Sequence, residues 1–387
     1  MTAPLIGTQM SVQSLHNKAA NGGYITELES IRGLAALLVV VYHIPKWNSV
    51  LEIGLINRGY LMVDLFFVLS GFVIYTAYAE KISRWTDLLR FQFLRFGRLY
   101  PVHVVFLSVY VIIEIAKYIA QTYFGLQSPN THPFGQNSFG ALLEQVFLVQ
   151  AIGPTGHTTT FNGPAWSISV EFYTYLIFAL VALTFRQHKG LVFLCLTLGA
   201  FALLVGKWTY GFEDFLHCIA GFFLGCLTAL GISKCKVKVS PVISLLVFVA
   251  TLLFLHFLPV RSYGLGIYLL SAFLVASLVL SESGLLKGML SFAPIRWLGK
   301  VSYSLYMCHF ALFWCANQVA RVALHSPQVI GSDGISLPQM PVGNTLILAA
   351  ATIAVALVLS ALIYRFVETP FRQRSRRFVA SSALFNR

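Results

Sequence analysis

The chain is 387 residues long, 57% hydrophobic and only 11% charged, and carries a formal net charge of +13. An ordinary soluble domain is roughly a quarter charged, so the two soluble domains that the length alone would allow are excluded. The basic residues are scattered over short loops, which excludes nucleic acid as a partner and makes the charge a topology signal.

Residues 1–27 are polar and rich in Ser, Asn and Gly, without the apolar core of a targeting peptide, and are expected to form a flexible cytoplasmic tail. An all-α, polytopic transmembrane helical bundle follows over 28–370. Its apolar runs place ten spans at roughly 29–48, 58–79, 97–120, 164–185, 190–206, 212–231, 241–258, 264–281, 301–322 and 343–367. Between the third and fourth spans lies a long loop, 121–163, that contains no Lys or Arg; loops of this length are usually functional or disordered, and a lid over an outward-facing site is one reading. Inside it, 140–152 is too short to span and holds Glu144, which suits an interfacial or re-entrant helix. A basic cytoplasmic tail, 371–387, closes the chain. With the N-terminus inside, 21 of the 27 Lys and Arg residues fall on the inner side and 6 on the outer, which sets an N-in, C-in orientation. The cysteines lack CxxC spacing and are expected as free thiols. No two histidines stand at i,i+4 and HExxH is absent, so no metal site is expected.

The stretch RGLAALLVVVYH puts Arg32 and His43 on the first span, eleven residues apart. Eleven steps of ~100° return to within ~20° of the start, so the two share a helix face, about 16 Å apart along the axis. Arg32 falls near the inner surface and His43 in the outer half. Counting rise along the inward-running fourth span places Glu171 about 10 Å below the outer surface, and Asp64 on the second span reaches a comparable level. His43, Glu171 and Asp64 are therefore expected in one layer. Ionisable groups in a bilayer face the bundle interior and carry function. Arg95 and Arg98 are i,i+3 on the third span and stand level with Arg32. Three guanidiniums there suit a phosphate-bearing cytoplasmic ligand. His309 is placed in the inner half of the ninth span. Plainer readings exist for each: snorkelling anchors for the arginines, a neutral core ring for His43, and structural partners for Glu171 and Asp64.

Around these residues the sequence resembles the acyltransferase family 3 of integral membrane proteins, over nearly its whole length. The first span carries the family's Arg/Lys-x10-His as Arg32 and His43. FFxxSG stands at Phe66, Phe67, Ser70 and Gly71, and RxxRxxP at Arg95, Arg98 and Pro101. GPxWS…E stands at Gly163, Pro164, Trp166, Ser167 and Glu171. SYSLYxxH stands at Ser302, Tyr303, Ser304, Tyr306 and His309, and ExPxR at Glu368, Pro370 and Arg372. Thr174 and Tyr175 depart from the Phe-Tyr that the family often shows after the glutamate. The hydrolase-like domain that some members append is not expected here.

The resemblance implies an O-acyltransferase of the bacterial cytoplasmic (inner) membrane. It would move an acyl group, commonly acetyl from acetyl-CoA, to a hydroxyl of an outward-facing glycan or lipid-linked sugar. Acyl-CoA is then a co-substrate, and no permanently bound cofactor is implied. His43 becomes the general base or a covalent acyl carrier, with Glu171 or Asp64 orienting its ring. Arg32, Arg95, Arg98, Ser70, Tyr303 and His309 are assigned to acyl-CoA, and Trp166, Ser167 and Tyr173 to the acceptor. The alternative is a secondary transporter or flippase that performs no acyl transfer. A transporter usually shows paired halves with interrupted helices, and this sequence has no such symmetry. Oligomeric state is left open.

Overall fold

A computed structural model describes residues 26–126, 130–235, 237–258, 264–330, 334–382 and 385. Nearly all of the expected N-terminal tail lies outside them. Five helical stretches are long and apolar enough to cross a membrane: Gly59–Tyr78, Trp85–Phe124, Gly163–Thr184, Glu213–Lys234 and Val342–Ser381. Three shorter apolar helices accompany them. The principal helices are α1 Thr26–Tyr42, α2 Met62–Tyr78, α3 Trp85–Phe124, α4 Phe139–Phe147, α5 Trp166–Thr184 and α6 Lys189–Val205. They continue with α7 Glu213–Lys234, α8 Pro241–Phe257, α9 Gly266–Leu280, α10 Ala293–Gln318, α11 Val342–Ile363 and α12 Thr369–Ser381. A small antiparallel hairpin, β1 Gln328–Ile330 with β2 Ser336–Pro338, was not expected from the sequence.

Every expected span has its helix, but several ends move. The first helix stops at Tyr42 instead of 48, so His43 is the first residue past its end, its N–H still bonded to Val39 and Val40 carbonyls at 3.1 Å. The third begins at Trp85 instead of 97. Its added turns hold Asp87, Arg90 and Arg95, which depress hydropathy, yet Leu88 and Phe91 bury one face. Asp87 Oδ2 caps this start by accepting from the N–H groups of Ser83 (3.1 Å) and Arg84 (3.0 Å). The ninth expected span begins at Ala293 instead of 301, with Pro294 in its first turn. Residues 364–368 wind more widely and run straight into α12. That helix lies back along α3, where the Phe93 and Phe378 rings sit 5.3 Å apart.

Two glycine contacts decide how the helices bearing the motifs meet. A Cβ on Gly33 would come within 2.5 Å of Gly299 N, so α1 and α10 touch backbone to backbone there. Ten residues further on, His43 meets His309. In both pairs the residue numbers differ by 266, so the two helices run parallel and in register. On α2, a Cβ at Gly71 would strike Phe222 O at 1.8 Å, and on α7 one at Gly225 would strike Val68 O at 2.1 Å. These helices cross antiparallel, with no room for side chains between them.

The described part of the 121–163 loop is folded down. Glu114 on α3 accepts from Phe134 N (2.8 Å), Asn137 Nδ2 (2.9 Å) and Lys117 Nζ (2.8 Å). His103 Nε2 donates to Gln145 O at 2.9 Å, and Gln145 Nε2 donates to Thr160 O at 2.8 Å. Four anchored points and the α4 helix make it a packed cover.

Candidate active site

A cavity lies among α1, α2, α3, α5 and α10. Arg32, Arg95, Arg98, Ser70, Glu171 and Tyr303 all line it. The parallel packing of α1 on α10 sets Arg32 beside Ser302 and Tyr303 on the same wall. Tyr303 Oη donates to Leu99 O at 2.5 Å and so fastens α10 to α3. Arg95 Nη2 donates to Tyr78 Oη at 2.9 Å, with its guanidinium 5.1 Å from that ring's centre. The Arg32 guanidinium has no hydrogen-bond partner among the described residues, although it lies inside a helical bundle. Glu368 is buried nearby, accepts from Ser304 Oγ at 3.0 Å, and feels the charges of Arg98, Arg372 and Arg32.

Glu171 belongs to this cavity and not to a layer with His43. Its Oε1 accepts from Ser70 Oγ and from Tyr175 Oη, each at 2.5 Å. Counting rise misplaced it because the helix start at Gly163 lies level with His43 and not above it. Phe310, whose ring meets His43 edge-on at 5.5 Å, also packs within 3.3 Å of where a Gly163 Cβ would be. Gly163 therefore already sits at the level of His43. Eight residues further along, about 12 Å, Glu171 reaches the arginines.

His309 is the residue that meets His43. Its Nε2 lies 3.2 Å from His43 Nδ1, and the ring centres are 4.9 Å apart. The expected position in the inner half fails because α10 starts eight residues early, so His309 stands about 24 Å along it. His43 Nδ1 is also 2.9 Å from Val39 O. A carbonyl only accepts, so Nδ1 carries the proton, which it also turns toward the His309 nitrogen. The lone pair of His43 is then on Nε2. The polar atoms around this ring are a carbonyl and a second imidazole; neither Glu171 nor Asp64 is bonded to it.

Asp64 is held elsewhere. It accepts from Tyr268 Oη at 2.6 Å and lies 3.5 Å from His217 Nδ1, joining α2 to α7 and α9. Rise along a helix gives height but not direction, and this side chain turns away from α1. Of the residues assigned to the acceptor, Ser167 lines the arginine cavity. Trp166 packs edge-on to Phe67 with ring centres 6.0 Å apart. Tyr173 donates to Phe147 O at 2.9 Å and ties α5 to the end of α4. None of the three touches His43.

Sequence reasoning passed over Tyr306. Its hydroxyl donates to Pro164 O at 3.0 Å and sits 2.9 Å from Ser167 Oγ. Its ring lines the arginine cavity below and stands 5.8 Å from the His309 ring above. It is the partition between the two sites. The available signal was the i,i+3 spacing of Tyr306 and His309, which puts both on one face of α10.

Comparison with known proteins gives a consistent result. Residues 25–364 match the acyltransferase domain family. The chain is 25% identical to the peptidoglycan O-acetyltransferase OatA of Listeria monocytogenes, over 90% of this chain and 56% of that protein. It is 27% identical to the O-acetyltransferase OatA of Staphylococcus aureus, over 91% of this chain and 58% of that protein. Protein 2 in the picA locus of Rhizobium radiobacter is 34% identical over 39% of this chain and 79% of that protein. The chain thus spans little more than half the length of the OatA proteins. No solved structure matches it. The arginine cavity, the histidine pair and the matched span together make the conclusion plain: the chain belongs to the acyltransferase family 3, as a multi-pass helical membrane protein.

Proposed function

We propose that this protein is an O-acetyltransferase of the bacterial cytoplasmic membrane, taking acetyl from acetyl-CoA to a hydroxyl of an outward-facing glycan. The observation that carries this reading is on α1. An arginine with no hydrogen-bond partner among the described residues lines a cavity on α1, and a histidine with a free Nε2 stands just past the end of that helix, eleven residues or about 16 Å of helical rise away. That arrangement suits a long ligand with phosphates at one end and a reactive thioester at the other. The phosphates would sit on Arg32 and Arg98, because guanidinium forks match phosphate oxygens. The acyl end would pass Tyr306 to reach His43.

His43 Nε2 removes the proton of the acceptor hydroxyl as its oxygen attacks the thioester carbonyl. The carbon–sulfur bond breaks, and the imidazolium returns its proton to the departing CoA thiolate. While the ring is charged, its Nδ1–H has two acceptors, Val39 O and His309 Nε2. These stabilise the cation as the carboxylate does in a Ser-His-Asp triad, and His309 thus acts as a positioning residue. Glu171, engaged by Ser70 and Tyr175, shapes the donor cavity. With N-in and C-in orientation, the arginine end faces the cytoplasm, where acetyl-CoA is found.

The test is release of free CoA-SH from acetyl-CoA by purified protein in lipid nanodiscs, with and without a glycan extract. Release that requires both the extract and His43 supports the proposal. Transport or flipping would consume no thioester, so folded protein that binds acetyl-CoA yet never releases CoA-SH with any acceptor contradicts it.

A further inference from the structure

A second cavity, separate from the arginine one, opens between α3, α10 and the described edge of the 121–163 loop. It lies at the histidine end. Phe310 touches His43, and Trp314 stands one turn above Phe310 on α10, about 6 Å further along. Trp314, Asn317, Gln318 and Arg321 continue the same wall, and Lys117 and Thr131 face them. Asn317 is fixed in place because its Oδ1 accepts from Trp47 Nε1 at 2.7 Å, just past the end of α1.

The chemistry of this cleft is lopsided. Trp314 Nε1, Asn317 Nδ2 and the Gln318 side chain have no partner among the described residues. Lys117 Nζ uses two of its three N–H groups, on Glu114 (2.8 Å) and Thr131 Oγ1 (3.1 Å). Arg321 spends Nε on Gln328 (2.9 Å) and one Nη2 bond on Ser336 O, which leaves further N–H groups over. Spare donors therefore outnumber spare acceptors. Among the described residues Glu114 balances one of the two cations, which leaves the other as a net positive charge. Beside these donors is an indole, the side chain with the largest flat face. A sugar ring offers an apolar face to such a surface, and a carboxylate offers the acceptors and the charge that these donors lack.

We infer that this cleft is the acceptor subsite and that its occupant is an acidic saccharide, with a ring against Trp314 and a carboxylate held between Lys117 and Arg321. The inference rests on the acyl-transfer reading for the hydroxyl that His43 would meet, but not for the binding itself. The carboxylate selects the glycan, and the cleft floor delivers its hydroxyl toward Nε2.

The experiment measures binding of a galacturonate tetramer and of the same tetramer with its carboxyls reduced. It uses the full chain in nanodiscs of zwitterionic lipid. The acidic tetramer is expected to bind at least about tenfold more tightly than the reduced one. Trp314→Ala and Gln318→Ala are each expected to weaken it about five- to tenfold, with Trp314→Phe recovering most of the loss. Arg32→Ala, in the donor cavity, leaves tetramer binding unchanged. Equal binding of the two tetramers, no binding of either, or indifference to both cleft substitutions overturns the inference. Acetyl-CoA binding and CoA-SH release in the same samples separate the two readings. Tetramer selectivity without thioester cleavage by any acceptor sinks acyl transfer and leaves the cleft. Cleavage without selectivity does the reverse.

Discussion

Arg32, within α1, and His43, just past its end, handle charge in opposite ways. At the Arg32 end, three arginines share one cavity, and a guanidinium keeps its charge at any working pH. At the His43 end the ring is surrounded by Phe310, Tyr42 and His309, and its hydrogen-bond partners are a carbonyl and an imidazole. A grip on phosphate needs charge that never leaves. A proton-transfer group needs the opposite: a side chain that is neutral at rest and charged only in passing.

The sharpest way to break this contrast is His43→Ala. Transfer should fall by about 10²–10⁴-fold, the range for a general base, while the acetyl-CoA dissociation constant stays within about twofold. Arg32→Ala should do the converse. Losing a charge-assisted hydrogen bond worth about 1.5–3 kcal/mol raises that dissociation constant roughly 10- to 100-fold, and saturating acetyl-CoA restores most of the rate. A pair of substitutions then asks which acidic or basic group serves His43. His309→Ala should lower kcat about tenfold, less than the loss of a general base because His309 positions the ring that moves the proton, and change the pH profile. Glu171→Gln should alter KM for acetyl-CoA and leave the profile in place. If the two outcomes are exchanged, Glu171 and not His309 serves the base. The smallest effect is expected at Tyr173→Phe, which removes only the bond to Phe147 O. Thermal unfolding should register about 1 kcal/mol, with transfer unchanged.

Helix placement was legible because apolar runs of nearly span length have few other solutions in a membrane protein. Arg32 and His43 were legible as a pair because the helical period converts eleven residues into a shared face. What spacing along one helix does not contain is where that helix sits against its neighbours. Glu171 was misplaced because Gly163, from which the rise was counted, lies level with His43. His309 was misplaced because Arg296 and Lys300 hide the first two turns of α10 from a hydropathy reading. Its partnership with His43 depends on Gly33 meeting Gly299. Two glycines on distant helices signal that contact only once the helices are known to touch. Asp64 was misread for want of azimuth, since its partners Tyr268 and His217 come from α9 and α7.

In the proposed mechanism, donor binding rests on Arg32 within α1 and chemistry on His43 just past its end. The direct measurement is acetyl-CoA binding and glycan-dependent CoA-SH release on the same nanodisc samples of wild type, Arg32→Ala and His43→Ala. The account predicts that Arg32→Ala loses affinity but recovers turnover at high acetyl-CoA, and that His43→Ala binds normally and does not turn over. A folded His43→Ala protein that transfers acetyl at the wild-type rate would contradict it.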